Sequence, residues 1–170
     1  MVKKNLILLG MMAVGKTTLG KMVAKRQNLT FIDTDAVIEK KNLMTISEIF
    51  KKKGEKFFRM EEEKQILKLL KKDSNIIALG GGAFMNKMLR DNILKNAVSI
   101  WLDVPIEILN SRIKKNLKRP LLDKKNNQSK LEKLYKERKN IYKLANYKIN
   151  CEKLNKEDIA KKIITFYEKY

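Results

Sequence analysis

Asn5-Leu6-Ile7-Leu8-Leu9-Gly10-Met11-Met12-Ala13-Val14-Gly15-Lys16-Thr17-Thr18-Leu19 decides the fold. The apolar run Asn5–Leu9 ends on Gly10, and Gly10 to Thr17 satisfies G-x-x-x-x-G-K-[ST] at every fixed position. A helical pattern follows at once over Lys16–Arg26, with Leu19, Val23 and Met22 set to face a sheet. Strand, glycine-bounded turn and helix in this order make a phosphate cradle. Backbone N–H groups over Met12, Ala13, Val14, Gly15, Lys16, Thr17 and Thr18 wrap a nucleotide's phosphates, and the helix N-terminus adds a fixed partial positive charge. Lys16 reaches the β- and γ-oxygens, the Thr17 hydroxyl suits Mg²⁺, and Thr18 places another hydroxyl near the α-phosphate. The plain alternative is a glycine-containing strand–helix turn without a ligand; the flanking strand and helix count against it. The motif alone does not separate a kinase from an ATPase or a GTPase.

Outward from this stretch, short apolar runs recur at Thr30–Ile32, Asn75–Leu79, Ala97–Leu102 and Tyr147–Ile149. Longer segments with helical periodicity lie between them. The alternation predicts one α/β domain: a five-stranded parallel sheet with helices on both faces, three layers in all. Thr45-Ile46-Ser47-Glu48 has capping-box spacing, Gly54 fits a helix stop, and Glu55–Leu70 fits a following helix. In Asp103-Val104-Pro105, Asp103 is expected to cap a helix whose first turn tolerates Pro105. Lys156–Tyr167 puts Ile159, Ile163, Ile164 and Tyr167 on one packing stripe. The polar, basic stretch Lys114–Ser129 lacks periodicity and reads as a long surface loop or a mobile lid.

Composition narrows the chemistry. The 170 residues contain no histidine and one cysteine, Cys151. Histidine metal sites, Ser-His-Asp and Cys-His systems and a structural zinc are therefore excluded. Catalysis must run on carboxylates, Lys, Arg, hydroxyls, backbone amides and a hard metal ion. No apolar run approaches the roughly 20 residues that cross a bilayer, and the start is too short for a signal-peptide core, so no membrane association and a cytoplasmic location are expected. The formal charge of +20 raises the question of nucleic acid. Lysines such as Lys51-Lys52-Lys53 and Lys71-Lys72 are scattered along the chain, as on solvated faces, and aromatics are only 7%, thin for base stacking. No specific nucleic-acid partner is expected.

Four features bear on the phosphate acceptor. Asp33-Thr34-Asp35 follows the second strand, near the edge where open α/β sheets bind ligands. On an extended segment Asp33 and Asp35 share a face, so one carboxylate orients metal-bound water while the other takes a hydroxyl proton. A turn or helix cap is the bland reading. Gly80-Gly81-Gly82 follows the third strand and is either a flexible turn or a place of close backbone approach. Arg59 has Glu55, Glu62 and Glu63 at helical spacing, and taken singly Arg119 and Arg138 are as readily surface charges.

Taken together these features resemble shikimate kinase. The likeness covers almost the whole chain: the phosphate loop; Asp33-Thr34-Asp35; Gly54-Glu55-Lys56-Phe57-Phe58-Arg59-Met60-Glu61-Glu62; Gly80-Gly81-Gly82; Arg119-Pro120-Leu121-Leu122; and Tyr135-Lys136-Glu137-Arg138-Lys139-Asn140-Ile141-Tyr142. The resemblance implies a P-loop fold like the nucleoside monophosphate kinases, with a mobile lid at about 114–129, an acceptor-binding helical region at about 35–70, and a monomer. It implies transfer of the γ-phosphoryl group of ATP to the 3-hydroxyl of shikimate, with Mg²⁺ as cofactor, in aromatic amino-acid biosynthesis. Arg59 and Arg138 would clamp the shikimate carboxylate. Asp35 would hold the ring hydroxyls and assist proton removal; Gly80, Gly81 and Gly82 would supply backbone contacts. Lys16 and the lid arginine Arg119 would stabilise the transferring group, Thr17 would ligate the metal directly and Asp33 through water, and Arg112 would lie against adenine. Ala13 and Val14 depart from the family, which commonly has Gly and a small residue there; Ala13 restricts the backbone more than Gly would. The competing readings are a kinase of gluconate or of a nucleoside monophosphate, a basic P-loop protein on nucleic acid, and an inactive homologue. The arginine pair and triple glycine favour a compact hydroxy-acid.

Overall fold

The computed structural model describes residues 3–115 and 127–170. Five parallel strands, β1 (Asn5–Leu9), β2 (Thr30–Asp33), β3 (Asn75–Ala78), β4 (Ala97–Asp103) and β5 (Tyr147–Asn150), form one sheet in the order β2-β3-β1-β4-β5. The inner strands are buried almost end to end, Leu6, Ile7, Ile76, Ile77, Ile100 and Leu102 being fully so, as both-face burial requires. The edge strands β2 and β5 are partly exposed and carry polar residues. Helix α1 (Lys16–Gln27) buries Leu19 and Val23 and packs beside α7 (Lys156–Glu168), whose Ile159, Ile163 and Tyr167 enter the core. α4 (Lys87–Asn96) packs on β4, and the sequence-predicted strands and helices recur with ends shifted by at most about two residues.

Helix α2 (Thr34–Asn42) and the first part of α3 (Ile46–Leu70) enclose a small core of their own, Ile38, Ile49 and Phe58, while the end of α3 joins the main core through Ile66. The capping box is formed: Thr45 Oγ1 accepts from the Glu48 amide and the Glu48 carboxylate from the Thr45 amide. Gly54 takes φ +82° and ψ 165°, a left-handed break that divides α3 in two where a helix stop is predicted. Lys51, Lys52, Lys53, Lys71 and Lys72 are all exposed.

Asp103 is a correction. It does not cap α5 (Ile106–Lys115); the amides of Ile108 and Leu109 bond instead to the Pro105 carbonyl. The Asp103 carboxylate accepts from Tyr135 Oη at 3.0 Å and pairs with Lys148 Nζ at 2.8 Å. It thereby ties α6 (Asn127–Tyr142) and β5 to the end of β4, and a charged partner outcompetes a capping amide. Within the predicted lid, residues 127–129 belong to α6, and residues 116–126, Arg119 among them, lie outside the described residues.

Candidate active site

Every candidate segment leaves the carboxyl edge of the sheet: the phosphate loop after β1, Asp33-Thr34-Asp35 at the end of β2, and the triple glycine after β3. In the order β2-β3-β1-β4-β5 the chain crosses from one side of β1 to the other after β3, so the crevice at this edge lies at the topological switch point. Two cavities meet there. One, of about 520 Å³, is lined by the phosphate loop with Arg112, Ile113, Leu154 and Lys156. The other, of about 320 Å³, is lined by Met12, Arg59, Glu62, Arg138 and the apolar Ile46, Phe50 and Phe58. Asp33, Asp35, Gly80 and Gly81 border both.

On the nucleotide side, Lys16 Nζ lies back over its own loop, donating to the carbonyls of Gly10 and Met11 at 2.9 Å each. Ala13 holds φ +64°, a left-handed conformation unusual for a residue with a Cβ. Arg112 Nη1 donates to the carbonyls of Ala13 at 3.1 Å and Val14 at 3.4 Å, which brings its guanidinium across the loop into the same cavity. Thr17 and Thr18 are exposed at the first turn of α1. Leu154 and Lys156, in the segment after β5, complete the wall; sequence spacing does not reveal them, because no motif marks that turn.

Asp33 and Asp35 are near each other, though not on an extended segment. Asp33 is the N-cap of α2, its Oδ1 accepting from the amides of Asp35 at 3.1 Å and Ala36 at 3.4 Å, and Asp35 lies in the first helical turn. The carboxylate satisfies free helix amides more strongly than an extended backbone would allow. The cap and the functional reading are both met, one oxygen each: Asp33 Oδ2 accepts from Thr17 Oγ1 at 2.7 Å. That hydroxyl and carboxylate are hard oxygen donors and fit Mg²⁺. Among the described residues no three Asp, Glu or Cys side chains converge to hold a metal by themselves. A metal here would therefore complete its shell with phosphate and water oxygens.

On the acceptor side, the three glycines make room for side chains. A Cβ on Gly80 would lie 2.7 Å from both Asp35 Oδ1 and Glu62 Oε1; on Gly81, 3.0 Å from Arg138 Nη1; on Gly82, 2.7 Å from both terminal nitrogens of Arg59. None of the three has a left-handed φ, so space and not conformational freedom excludes a side chain. Consecutive glycines thus bring two carboxylates and two guanidinium groups against one short backbone segment.

Arg59 Nη1 donates to Glu62 Oε2 at 2.7 Å, and its Nη2 to Glu55 Oε1 at 3.3 Å. Burial opposes the Arg59 charge, yet Glu62 and Glu55 together hold its pKa above the ordinary value. Glu62 is almost fully buried, and burial pushes its carboxyl up against the pull of Arg59, with Asp35 adding to the rise. Its second oxygen, Oε1, has no hydrogen-bond partner among the described residues. Glu62 belongs to the site, a role its helical spacing to Arg59 disguises as ordinary pairing. Arg138 is only 8% exposed, and no carboxylate lies within ion-pair distance of it among the described residues.

The profile of the shikimate kinase family matches residues 12–168 of this chain. A shikimate kinase of Bartonella henselae is 42% identical over 167 residues, which span 98% of this chain and 80% of that protein. A shikimate kinase of a Sulfurihydrogenibium species is 40% identical over 162 residues, spanning 95% of this chain and 96% of that protein. The solved shikimate kinase of Acinetobacter baumannii in complex with shikimate superposes with a TM-score of 0.92 at 33% identity, covering 98% of this chain and 94% of that one. A gluconokinase of Sinorhizobium meliloti shares the fold alone, at a TM-score of 0.63 and 9% identity. Sequence and structure agree along essentially the full length, and the chain belongs to the shikimate kinase family.

Proposed function

We propose that the protein transfers the γ-phosphoryl group of ATP to the 3-hydroxyl of shikimate, giving shikimate 3-phosphate and ADP. The observation that carries this reading is Arg138: a buried guanidinium lining the same cavity as Arg59, with no carboxylate at ion-pair distance among the described residues. A buried cation calls for an anion, and two adjacent planar forks suit a carboxylate. The cavity, about 320 Å³ with an apolar wall of Ile46, Phe50 and Phe58, suits a small carbocyclic acid better than a nucleotide.

The chain's residues then divide the work. Main-chain amides of 12–18 and Lys16, swung from its loop carbonyls, grip the β- and γ-phosphates. Arg59 and Arg138 hold the acceptor's carboxylate, which turns its ring hydroxyls toward Asp35. Because Asp35 borders both cavities, the hydroxyl it holds faces the bound γ-phosphoryl group. As the new O–P bond forms and the bond to the β-phosphate oxygen breaks, Asp35 receives the hydroxyl proton and ADP departs. Mg²⁺ held by Thr17 directly and by Asp33 through water would neutralise charge on the phosphates. Arg112 lies against the nucleotide, and Arg119 in the lid would close over the phosphates and exclude water. Positioning and electrostatics suffice for this chemistry, so a histidine-free site is adequate.

A coupled assay of ADP release tests the reading. Turnover is expected with shikimate and ATP and none above background with gluconate or AMP as acceptor. Equal turnover with either would overturn the substrate.

A further inference from the structure

Two buried hydroxyls outside the residues assigned above hold the glycine loop from behind. Thr34, fully buried between the two aspartates, donates from Oγ1 to the Ala78 carbonyl at 3.2 Å and accepts from the Gly80 amide at 3.0 Å. Tyr142, 1% exposed on α6 one turn after Arg138, donates from Oη to the Gly81 carbonyl at 2.5 Å. Its ring packs against Trp101 at 5.9 Å between centroids, and its oxygen lies 3.9 Å from Met11 Sδ in the phosphate loop. Between these anchors the Gly80 carbonyl accepts from the Ala83 amide at 3.2 Å.

Three successive peptide planes are therefore fixed at one atom each: by Thr34 before Gly80, by Ala83 after it and by Tyr142 after Gly81. A trans peptide carries its N–H opposite its C=O, and no cis peptide is present among the described residues. With the Gly81 carbonyl drawn to Tyr142, the Gly82 N–H is turned away from Tyr142, and Gly82 lines the acceptor cavity. Neither the Gly81 nor the Gly82 amide donates to a protein acceptor among the described residues. Three glycines left to themselves would be the least ordered part of the site.

We propose that Tyr142 and Thr34 are positioning residues for the acceptor: their hydroxyls fix the glycine loop so that its amides and the room it leaves for Asp35, Glu62, Arg59 and Arg138 are preset before shikimate binds. The assignment rests on the shikimate reading above. Burial pushes the Tyr142 hydroxyl up to about 12, with the nearby Arg138 charge opposing, so it remains a donor across the working pH range. Tyr142 also joins the loop to the helix that carries Arg138, so one hydroxyl aligns the amides and the guanidinium together.

The test compares the parent with Tyr142→Phe, which keeps the ring on Trp101, and with Thr34→Val and Thr34→Ser. Loss of either hydroxyl is expected to raise KM for shikimate about three- to tenfold while KM for ATP stays within about twofold. Thr34→Ser, which keeps the hydroxyl, is expected to restore the parent value. Circular dichroism and the ATP KM report whether each variant holds its fold. An unchanged shikimate KM in Tyr142→Phe, or equal rises for both substrates, would overturn the proposal. A parent inactive toward shikimate would instead overturn the function proposed above.

Discussion

On the nucleotide side of the crevice the groups proposed to bind the phosphates are mainly main-chain amides of one unbroken stretch, Met12–Thr18, helped by Lys16 and by arginines. On the acceptor side the site is built from side chains of separate elements, the cations Arg59 on α3 and Arg138 on α6 and the carboxylates Asp35 on α2 and Glu62 on α3, gathered around three glycines after β3. The first arrangement exposes the Thr17 and Thr18 side chains and leaves Lys16 half-buried. The second buries Glu62 and Arg138 and leaves desolvated charge awaiting a partner. A backbone cradle costs little to maintain and suits any nucleoside triphosphate. A buried cluster of charges is destabilising until filled and suits one shape of acid. On the proposed function, specificity therefore resides on the acceptor side, in groups whose burial makes each of them hard to replace.

The largest expected effect separates the two sides by chemistry. Asp35→Asn should lower kcat by roughly 10²–10⁴ with KM for ATP nearly unchanged, because a positioned proton acceptor is worth about that much. Steady-state rates at saturating ATP check it. A kcat within a few-fold of the parent would remove Asp35 from proton transfer and leave it a cap-adjacent polar residue.

Next is the clamp. Arg138→Ala should raise KM for shikimate about 30-fold or more, the usual penalty for removing one partner of a buried charge-assisted contact. ATP binding, measured by titration calorimetry without shikimate, should be unaltered. A matched loss on both substrates would mean that Arg138 supports the α6 framework and not the acid, erasing the contrast between the sides.

The same contrast explains what the amino-acid sequence discloses. Gly10, Gly15, Lys16 and Thr17 are legible because a backbone cradle needs fixed residues at fixed short spacing, between a strand and a helix that announce themselves by periodicity. The parallel sheet is legible for a similar reason, since strands buried on both faces, such as Ile76–Leu79 and Val98–Leu102 with its single Ser99, read as near-continuous apolar runs. The acceptor site is not local. Arg59 and Arg138 lie 79 positions apart by their numbers, and only the resemblance to a family joins them. Glu62 and Thr34 escaped because their neighbours in sequence offer simpler explanations: helical pairing for one, two conspicuous aspartates for the other. Asp103 misled because capping preference is a local rule, overridden here by Tyr135 and Lys148 from distant elements.

A smaller effect probes the burial itself. The Glu62 carboxyl is raised above its ordinary 4.5, chiefly by desolvation. The folded chain therefore holds this proton more tightly than the unfolded chain does. Its contribution to stability is full below about pH 4.5 and is lost as pH rises through the elevated folded value. Glu62→Gln abolishes that titration, so the unfolding free energy of the parent minus that of the variant should fall as pH rises through this window. Urea denaturation of both proteins across it provides the measurement. A difference that grows with pH would show that Arg59 outweighs burial and that the acceptor side is not strained by its own charges. The variant should also raise KM for shikimate about tenfold, since Arg59 loses its 2.7 Å carboxylate partner.

The smallest expected effect falls on the nucleotide side, where the backbone carries the binding. Ala13 adopts φ +64°, and a Cβ in the left-handed region costs about 1–2 kcal/mol relative to glycine. Ala13→Gly removes that cost but loosens the unfolded chain by about 0.4–1 kcal/mol, so the net change in stability runs from zero to about 1.6 kcal/mol in favour of the variant. The Arg112 guanidinium bonds to the Ala13 carbonyl, not to its side chain, and would hold the loop in either variant. KM for ATP should accordingly stay level or fall by up to about fivefold, with KM for shikimate unmoved. A several-fold rise in the ATP value would show that the methyl group holds the loop in its binding shape. In that case the cradle, too, would depend on a particular side chain, and the division between a backbone-built and a side-chain-built half of the site would fail.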